Sequence, residues 1–386
     1  MRRLLLGIYG FAFFNKFLLL TPVYAIFMQQ NGVGDVLLSM MFLISSGATV
    51  LGQMPIAYIT NRFGARNAMI FGQILKAIAI ILWLFVPNHF GFIFGMVLWG
   101  IQTGFRNVAF EGLIYDGVSM AGHARDYTRI LGRKATYESI GVALSASGSL
   151  LMFLGYNWVT WASVFAIGIS VLCLMLLRGR GTNAPITQAG FRKMFREGLG
   201  ACTKKPCMMS IMLLALLVVN VPYLDDFLSP IALQLGISTE YVGIVPFFLL
   251  LCATLGQRFA YKFSKISDLI LYSMIGVAGV LYICFAYAYR PSALWMLGGA
   301  YALIWCVYTL TYSRFQHMIP TRHRSVILSL FTTLTYLVYM LVCAIIGIGS
   351  SIGSWRYSIG ALGLIVVGIC VWALFRVRKR CPCVVG

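Results

Sequence analysis

Apolar residues along this chain come in long runs rather than in strict alternation. Twelve runs stand out, near 4–28, 37–60, 67–87, 91–117, 136–156, 158–177, 209–234, 240–262, 267–288, 292–313, 325–348 and 357–376. A helix needs about 20 mainly apolar residues to cross the hydrocarbon core of a bilayer. The pattern therefore predicts an all-α integral membrane protein with twelve transmembrane helices.

Long connections are absent except at 178–208. There Arg178, Arg180, Arg192, Lys193, Arg196, Lys204 and Lys205 face a single acid, Glu197. Phe191, Met194, Phe195 and Leu199 recur within it at helical spacing. Such a helix lies on the inner leaflet, its basic face toward anionic head groups. The expected organisation is a six-helix bundle at 1–177, a cytoplasmic basic linker with an amphipathic helix at 178–208, a second six-helix bundle at 209–376 and a cytoplasmic tail at 377–386. A faint internal echo supports two halves: Leu51-Gly52-Gln53 returns as Leu255-Gly256-Gln257, 204 residues later, each before a basic turn. Duplicated halves are a recurrent transporter architecture.

Composition agrees. Hydrophobic residues make up 60% of the chain and charged residues 10%, where a soluble domain carries about 25% charged residues. The net charge of +20 could point to nucleic acid, but its distribution does not. Of 30 Lys and Arg residues, 25 fall in segments expected inside, Arg290 and Arg356 fall outside, and Lys16, Lys76 and Arg106 lie within runs. That asymmetry follows the positive-inside rule and places both termini in the cytoplasm; nucleic-acid binding needs one continuous basic face instead. The first run lacks a small-residue cleavage site and is expected to stay as a span. The ten cysteines map to runs or inner segments, so no disulfide framework is expected, and the tail pair Cys381 and Cys383 reads as reduced thiols. His89, His123, His317 and His323 lie near run ends without clustering, so neither a metal site nor a catalytic constellation is expected.

Three segments resemble the major facilitator superfamily, particularly its bacterial efflux-like members. The first runs from Gln53 through Pro55 to Ala57-Tyr58-Ile59-Thr60-Asn61-Arg62-Phe63-Gly64-Ala65-Arg66. It is similar to the family's signature between spans two and three, with Asn61 and Ala57 replacing the usual aspartate and glycine. Gly64 suits a tight reversal, and Arg62 and Arg66 hold the turn inside. The resemblance makes Asn61, Arg62, Gly64 and Arg66 a gate loop. The second segment is Leu98-Trp99-Gly100 through Phe105 and on to Glu111-Gly112-Leu113-Ile114-Tyr115-Asp116. The third is Phe315-Gln316-His317-Met318-Ile319-Pro320 with Arg322, Arg324 and Ser325 to Leu330. Two exporter signatures are missing: Met96 stands where many drug exporters carry arginine, and Ser139 to Gly148 lacks the Gly-Pro antiporter motif.

A charge near the bilayer centre costs about 2.5–3.5 kcal/mol on insertion scales, so each one asks for a role. The resemblance puts Lys16, Arg106, Glu111, Asp225 and Asp226 on cavity-lining spans and makes them, with Asn220, candidates for the substrate and proton pathway. Arg106 follows Gln102 by one turn, whereas Thr103, Asn107 and Glu111 form a separate i, i+4 stripe. Asp225 and Asp226 follow Pro222, whose missing N–H frees carbonyls that only a cavity, water or a neighbour satisfies. Lys76 reads as a snorkelling or packing residue, and Glu138 as the partner of Arg133 or Lys134. Tyr9, Trp305, Tyr308 and Tyr312 are aromatic candidates for a substrate cavity.

These features predict a multi-pass secondary transporter of the bacterial inner membrane, not an enzyme. Its expected partners are a small-molecule substrate, protons and anionic inner-leaflet lipids, with the proton gradient as energy source, no bound cofactor and a monomeric state. The first reading is a proton-coupled exporter of a toxic or antibiotic-like amphipathic compound, an efflux antiporter. A second is an importer of an anionic or zwitterionic solute that uses Lys16 and Arg106 as charge partners. A membrane enzyme or signalling protein on the same scaffold is the third.

Overall fold

The computed structural model describes residues 1–123, 126–177, 196, 200, 206–263, 266–319 and 324–379. Most of the 178–208 linker, with Phe191, Met194, Phe195 and Leu199, lies outside the described residues. So do Pro320, Arg322 and His323, and the tail from 380 with Cys381 and Cys383.

The first half of the chain forms α1 (Arg2–Lys16), α2 (Tyr24–Gln30), α3 (Asp35–Phe63), α4 (Ala65–Phe85), α5 (His89–Met120), α6 (Tyr127–Ser145), α7 (Ser147–Leu150) and α8 (Tyr156–Met175). The second half forms α9 (Pro206–Asn220), α10 (Leu228–Gln234), α11 (Ile244–Phe259), α12 (Asp268–Ala288), α13 (Leu294–Met318), α14 (Arg324–Ser350) and α15 (Trp355–Lys379). Ten helical segments among the described residues are long and apolar enough to cross a membrane. The chain is a multi-pass integral membrane protein, as bacterial inner-membrane transporters are. An all-helical build is what hydrocarbon demands, because each span must satisfy its own backbone hydrogen bonds.

Two of the twelve expected spans fall outside those ten. The run at 4–28 is not one helix: α1 stops at Lys16, Phe17 leaves helical geometry at φ −76° and ψ 75°, and α2 resumes at Tyr24. Pro22 contributes to the break, since it has no N–H and its ring crowds the carbonyl four residues back. The other is α5, a helix of 32 residues whose middle holds Gln102, Arg106 and Glu111, which dilute its apolar character.

The expected loop from Asn61 to Arg66 is shorter than its residues suggest. Helix α3 continues through Asn61 and Arg62 to Phe63, α4 begins at Ala65, and Gly64 alone separates them. Its φ of 82° and ψ of 147° are open to glycine because no Cβ meets the backbone.

The chain divides into two compact units. The first comprises Met1–Gly34, Ile44–Phe191 and Ser238–Phe247, and the second Asp35–Leu43, Arg192–Ile237 and Phe248–Gly386. In the first, α4 packs along α5 and α1 packs against both α6 and α8. Its core includes Ile8 and Phe11 of α1, Phe110 and Leu113 of α5, and Leu174. A Cβ on Gly148 would stand 1.8 Å from the Leu19 carbonyl oxygen, so a small residue permits that approach. In the second unit α12 crosses α15 where a Cβ on Gly279 would lie 2.9 Å from the Gly363 oxygen. Such crossings suit lipid, where close van der Waals packing replaces the hydrophobic drive between helices. Met208, Met212 and Leu216 of α9 meet Phe315 of α13 and Ile327 and Phe331 of α14.

One expectation about sulfur is corrected: Cys207, at the start of α9, is disulfide-bonded. Cysteine count and placement along a chain do not reveal which sulfurs come within the short reach a disulfide needs.

Candidate functional site

In the first unit a polar cluster forms where α1 breaks. Lys76 of α4 is 4% exposed. Its ammonium donates to the Asn15 carbonyl oxygen at 2.9 Å and to Asn15 Oδ1 at 3.1 Å. It also sits 4.9 Å from the centroid of the Trp99 ring. An ammonium has three donors and no acceptor; two of them go to Asn15, and the ring face adds an electrostatic contact. Gln73 Nε2 donates to Asn15 Oδ1 at 3.2 Å, and Ser170 Oγ of α8 donates to Gln73 Oε1 at 3.2 Å. Trp99 in turn stacks with Trp83, centroids 5.6 Å apart. Lys76 therefore does not snorkel: its head group ends on a broken helix, not at an interface. The sequence held a signal for this, since Gln73 and Lys76 share one face of α4 at three-residue spacing.

Lys16, the last residue of α1, and Arg106 are both half-buried and close enough to Lys76 to feel its charge. Lys16 and Arg106 thus both lie within electrostatic range of Lys76. Arg106 Nη2 donates to Asn107 Oδ1 at 3.4 Å, which links the two polar stripes of α5. Glu111 is exposed and acts electrostatically on Tyr127 at the start of α6. Glu138 accepts Lys134 as an ion-pair partner at 3.5 Å.

In the second unit the break lies between α9 and α10. Asn220, buried, ends α9 and donates through Nδ2 to the Leu216 oxygen at 2.7 Å. The Pro222 oxygen accepts from Tyr282 Oη of α12 at 2.7 Å. Asp225 and Asp226 open a 3₁₀ turn, Asp225–Phe227. Tyr301 of α13 donates to Asp225 Oδ1 at 3.1 Å, and Tyr339 of α14 donates to Asp226 Oδ2 at 2.5 Å. Tyr301 Oη also accepts from the Leu224 N–H at 3.4 Å. Tyr223 meets the Tyr339 ring edge-on, centroids 5.3 Å apart. Adjacent in sequence, the two carboxylates are thus held by different helices. Sequence reasoning named the acids and missed Tyr282, Tyr301 and Tyr339, because nothing local ties a tyrosine to a turn tens of residues away.

The remaining candidates are scattered. Arg62 Nη1 reaches Tyr58 Oη at 3.4 Å, Arg66 Nε reaches Asn67 Oδ1 at 3.4 Å, and both arginines are exposed. Asn61 Nδ2 is buried without a hydrogen-bond partner among the described residues. Tyr9 stacks on Tyr137 at 4.9 Å. Tyr308 stacks on Tyr312 at 5.3 Å, and Tyr312 packs on Phe331 of the core.

Comparison with solved structures shows the fold. The nucleoside transporter NupG superposes with a TM-score of 0.76 at 13% identity, over 98% of this chain and 99% of that one. A D-xylose-proton symporter gives 0.72 at 14% identity, with 96% of each chain covered. A POT family transporter in complex with 5-aminolevulinic acid gives 0.70 at 13% identity, over 98% and 95%. No curated protein sequence matches the chain. The efflux, antiporter and antibiotic-resistance expectations do not stand against these likenesses, which are to a nucleoside transporter, a proton symporter and a POT family transporter. The efflux expectation rested on the resemblance of three segments, near 53–66, 98–116 and 315–330. The Major Facilitator Superfamily profile matches residues 5–342, and the chain belongs to that superfamily, a transport protein and not an enzyme.

Proposed function

We propose that this chain is a proton-coupled importer of a small anionic or zwitterionic solute. The observation that carries the reading is the buried Lys76 bound to Asn15 beside Lys16, with Lys16 and Arg106 within its electrostatic range in the first unit. Basic groups gathered in a low-dielectric interior favour a negatively charged group nearby. In the second unit Asp225 and Asp226 are the carboxyls that take the proton, each beside a phenol. Likeness to a proton symporter and to a transporter that holds 5-aminolevulinic acid, zwitterionic at neutral pH, supports the reading.

In this reading the chain has twelve spans, with α1 and α2 as the broken first and α5 as the fourth. Both termini and the 178–208 linker are cytoplasmic, the linker rests on anionic inner-leaflet lipid, and the protein works as a monomer. The helical bundles are 1–177 and 209–376. Asn61, Arg62, Gly64 and Arg66 brace the inner end of α3 and α4, while Asn220 and Glu111 are auxiliary polar groups.

The test is uptake into proteoliposomes under an imposed gradient, acid outside. Radiolabelled 5-aminolevulinic acid, alanyl-alanine and glutamate serve as probes, with uridine and xylose as neutral controls. Accumulation of a charged probe, lost on collapsing the gradient and in Asp225→Asn or Asp226→Asn, is expected. Uptake of neutral probes alone would overturn the charge assignment, and uptake indifferent to the gradient would overturn proton coupling.

A further inference from the structure

Breaking a membrane helix frees backbone carbonyls in a place without water. The last four carbonyls of a helix have no intrahelical donor, and in hydrocarbon something else must meet them. Helix α1 ends at Lys16, so the Asn15 carbonyl is one of these, and Lys76 of α4 donates to it at 2.9 Å. Beyond α9, which ends at Asn220, the Pro222 carbonyl is met by Tyr282 of α12 at 2.7 Å. Lys76 and Tyr282 are 4% and 0% exposed. Tyr282 follows Lys76 by 206 positions and Pro222 follows Asn15 by 207, close to the 204 that separates Leu51-Gly52-Gln53 from its echo. The same task falls at corresponding places in the two halves, carried out by chemically different side chains.

We propose that Lys76 and Tyr282 are a matched pair of positioning residues, each clamping a backbone carbonyl at a helix break within its own unit. Lys76 thereby sets the orientation of Lys16, the residue after Asn15. Tyr282 sets the turn that carries Asp225 and Asp226, three and four residues after Pro222. With two hydrogen bonds to Asn15 and its nitrogen over the Trp99 ring, Lys76 acts through Lys16. Tyr282 supplies a neutral clamp, so the second unit keeps its carboxylates without an added cation at that position. The functional consequence rests on the reading of Lys16, Asp225 and Asp226 given above, whereas the clamps themselves can be tested without any solute.

Amide hydrogen exchange on the full chain in lipid nanodiscs reads each break directly. Removing one clamp is expected to raise exchange by about tenfold at that break, as local opening becomes easier. Lys76→Met should do so over 17–23 and leave 221–227 unchanged, and Tyr282→Phe should do the reverse. Position 16 is read separately, by the rate at which 2-aminoethyl methanethiosulfonate modifies a Lys16→Cys chain, followed by mass spectrometry of its peptide. That rate should change several-fold when Lys76→Met is added and stay constant with Tyr282→Phe, as expected for a locally opened segment. Either substitution leaving its own break at the parental rate, both breaks rising together, or position 16 ignoring Lys76→Met would overturn the proposal. Should Lys76→Met fail to fold, Tyr282→Phe, which removes one oxygen, decides on its own break. Exchange that behaves as expected beside absent uptake of every probe would overturn the transport reading and leave the clamps standing.

Discussion

Tyr339 Oη donates to Asp226 Oδ2 at 2.5 Å, across 113 residues of sequence and from a different helix. A hydrogen bond to a charged group contributes about 1.5–3 kcal/mol, so this contact fixes where Asp226 stands. Removing the hydroxyl in Tyr339→Phe should lower gradient-driven uptake by roughly tenfold or more, in line with that magnitude. Tyr287→Phe, at a residue 86% exposed, serves as the control and should transport like the parent. Equal uptake in both variants would show that Tyr339 plays no part in proton coupling.

Asn15 accepts from both Lys76 and Gln73 through one side-chain oxygen. Asn15→Leu keeps the volume and deletes that acceptor, stranding part of a buried ammonium. A buried donor left unsatisfied costs about 1–3 kcal/mol, and more when charged. Thermal unfolding in detergent should therefore shift downward by several degrees, about what 1–3 kcal/mol gives in a chain of this kind. A midpoint equal to the parent's would mean that water or another group replaces Asn15.

Gly64 is the single residue between α3 and α4, at φ 82° and ψ 147°. Gly64→Val forces a branched side chain into backbone space that costs about 1–3 kcal/mol for residues other than glycine. Membrane-integrated yield and thermal midpoint should both fall, while Arg62→Lys nearby should leave them intact. Parental yield and midpoint in Gly64→Val would show that the turn is free to change its backbone.

The proposed topology, with both termini inside, has direct consequences. Cysteines introduced at Arg290 and Arg356 should react with an impermeant maleimide from outside intact cells, and one at Arg62 should react only after lysis. Labelling of Arg62→Cys in intact cells would invert the assignment and the direction of the proposed coupling with it.

Much of this protein was legible from sequence because lipid imposes a strict rule. Residues at 67–87 or 357–376 have no stable state in hydrocarbon except a helix, so run length and charge asymmetry point to a polytopic helical protein before any contact is known. Local chemistry was legible as well: Gly64 at a reversal, Pro222 at a break, Glu138 four residues after Lys134. Tertiary structure decided what depends on neighbours distant in sequence. The break in α1 is visible in the chain only as Pro22, and its repair by Lys76 appears only when α4 lies beside α1. A lone lysine on an apolar helix looks the same whether it snorkels or clamps, since the difference lies in the acceptor it meets. Likewise Asp225 and Asp226 read as a like-charged pair in sequence, and they become two separately held carboxylates only because α13 and α14 bring Tyr301 and Tyr339 to them. Composition and periodicity act through the solvent, one residue at a time, whereas a hydrogen bond needs two partners whose meeting the packing alone arranges.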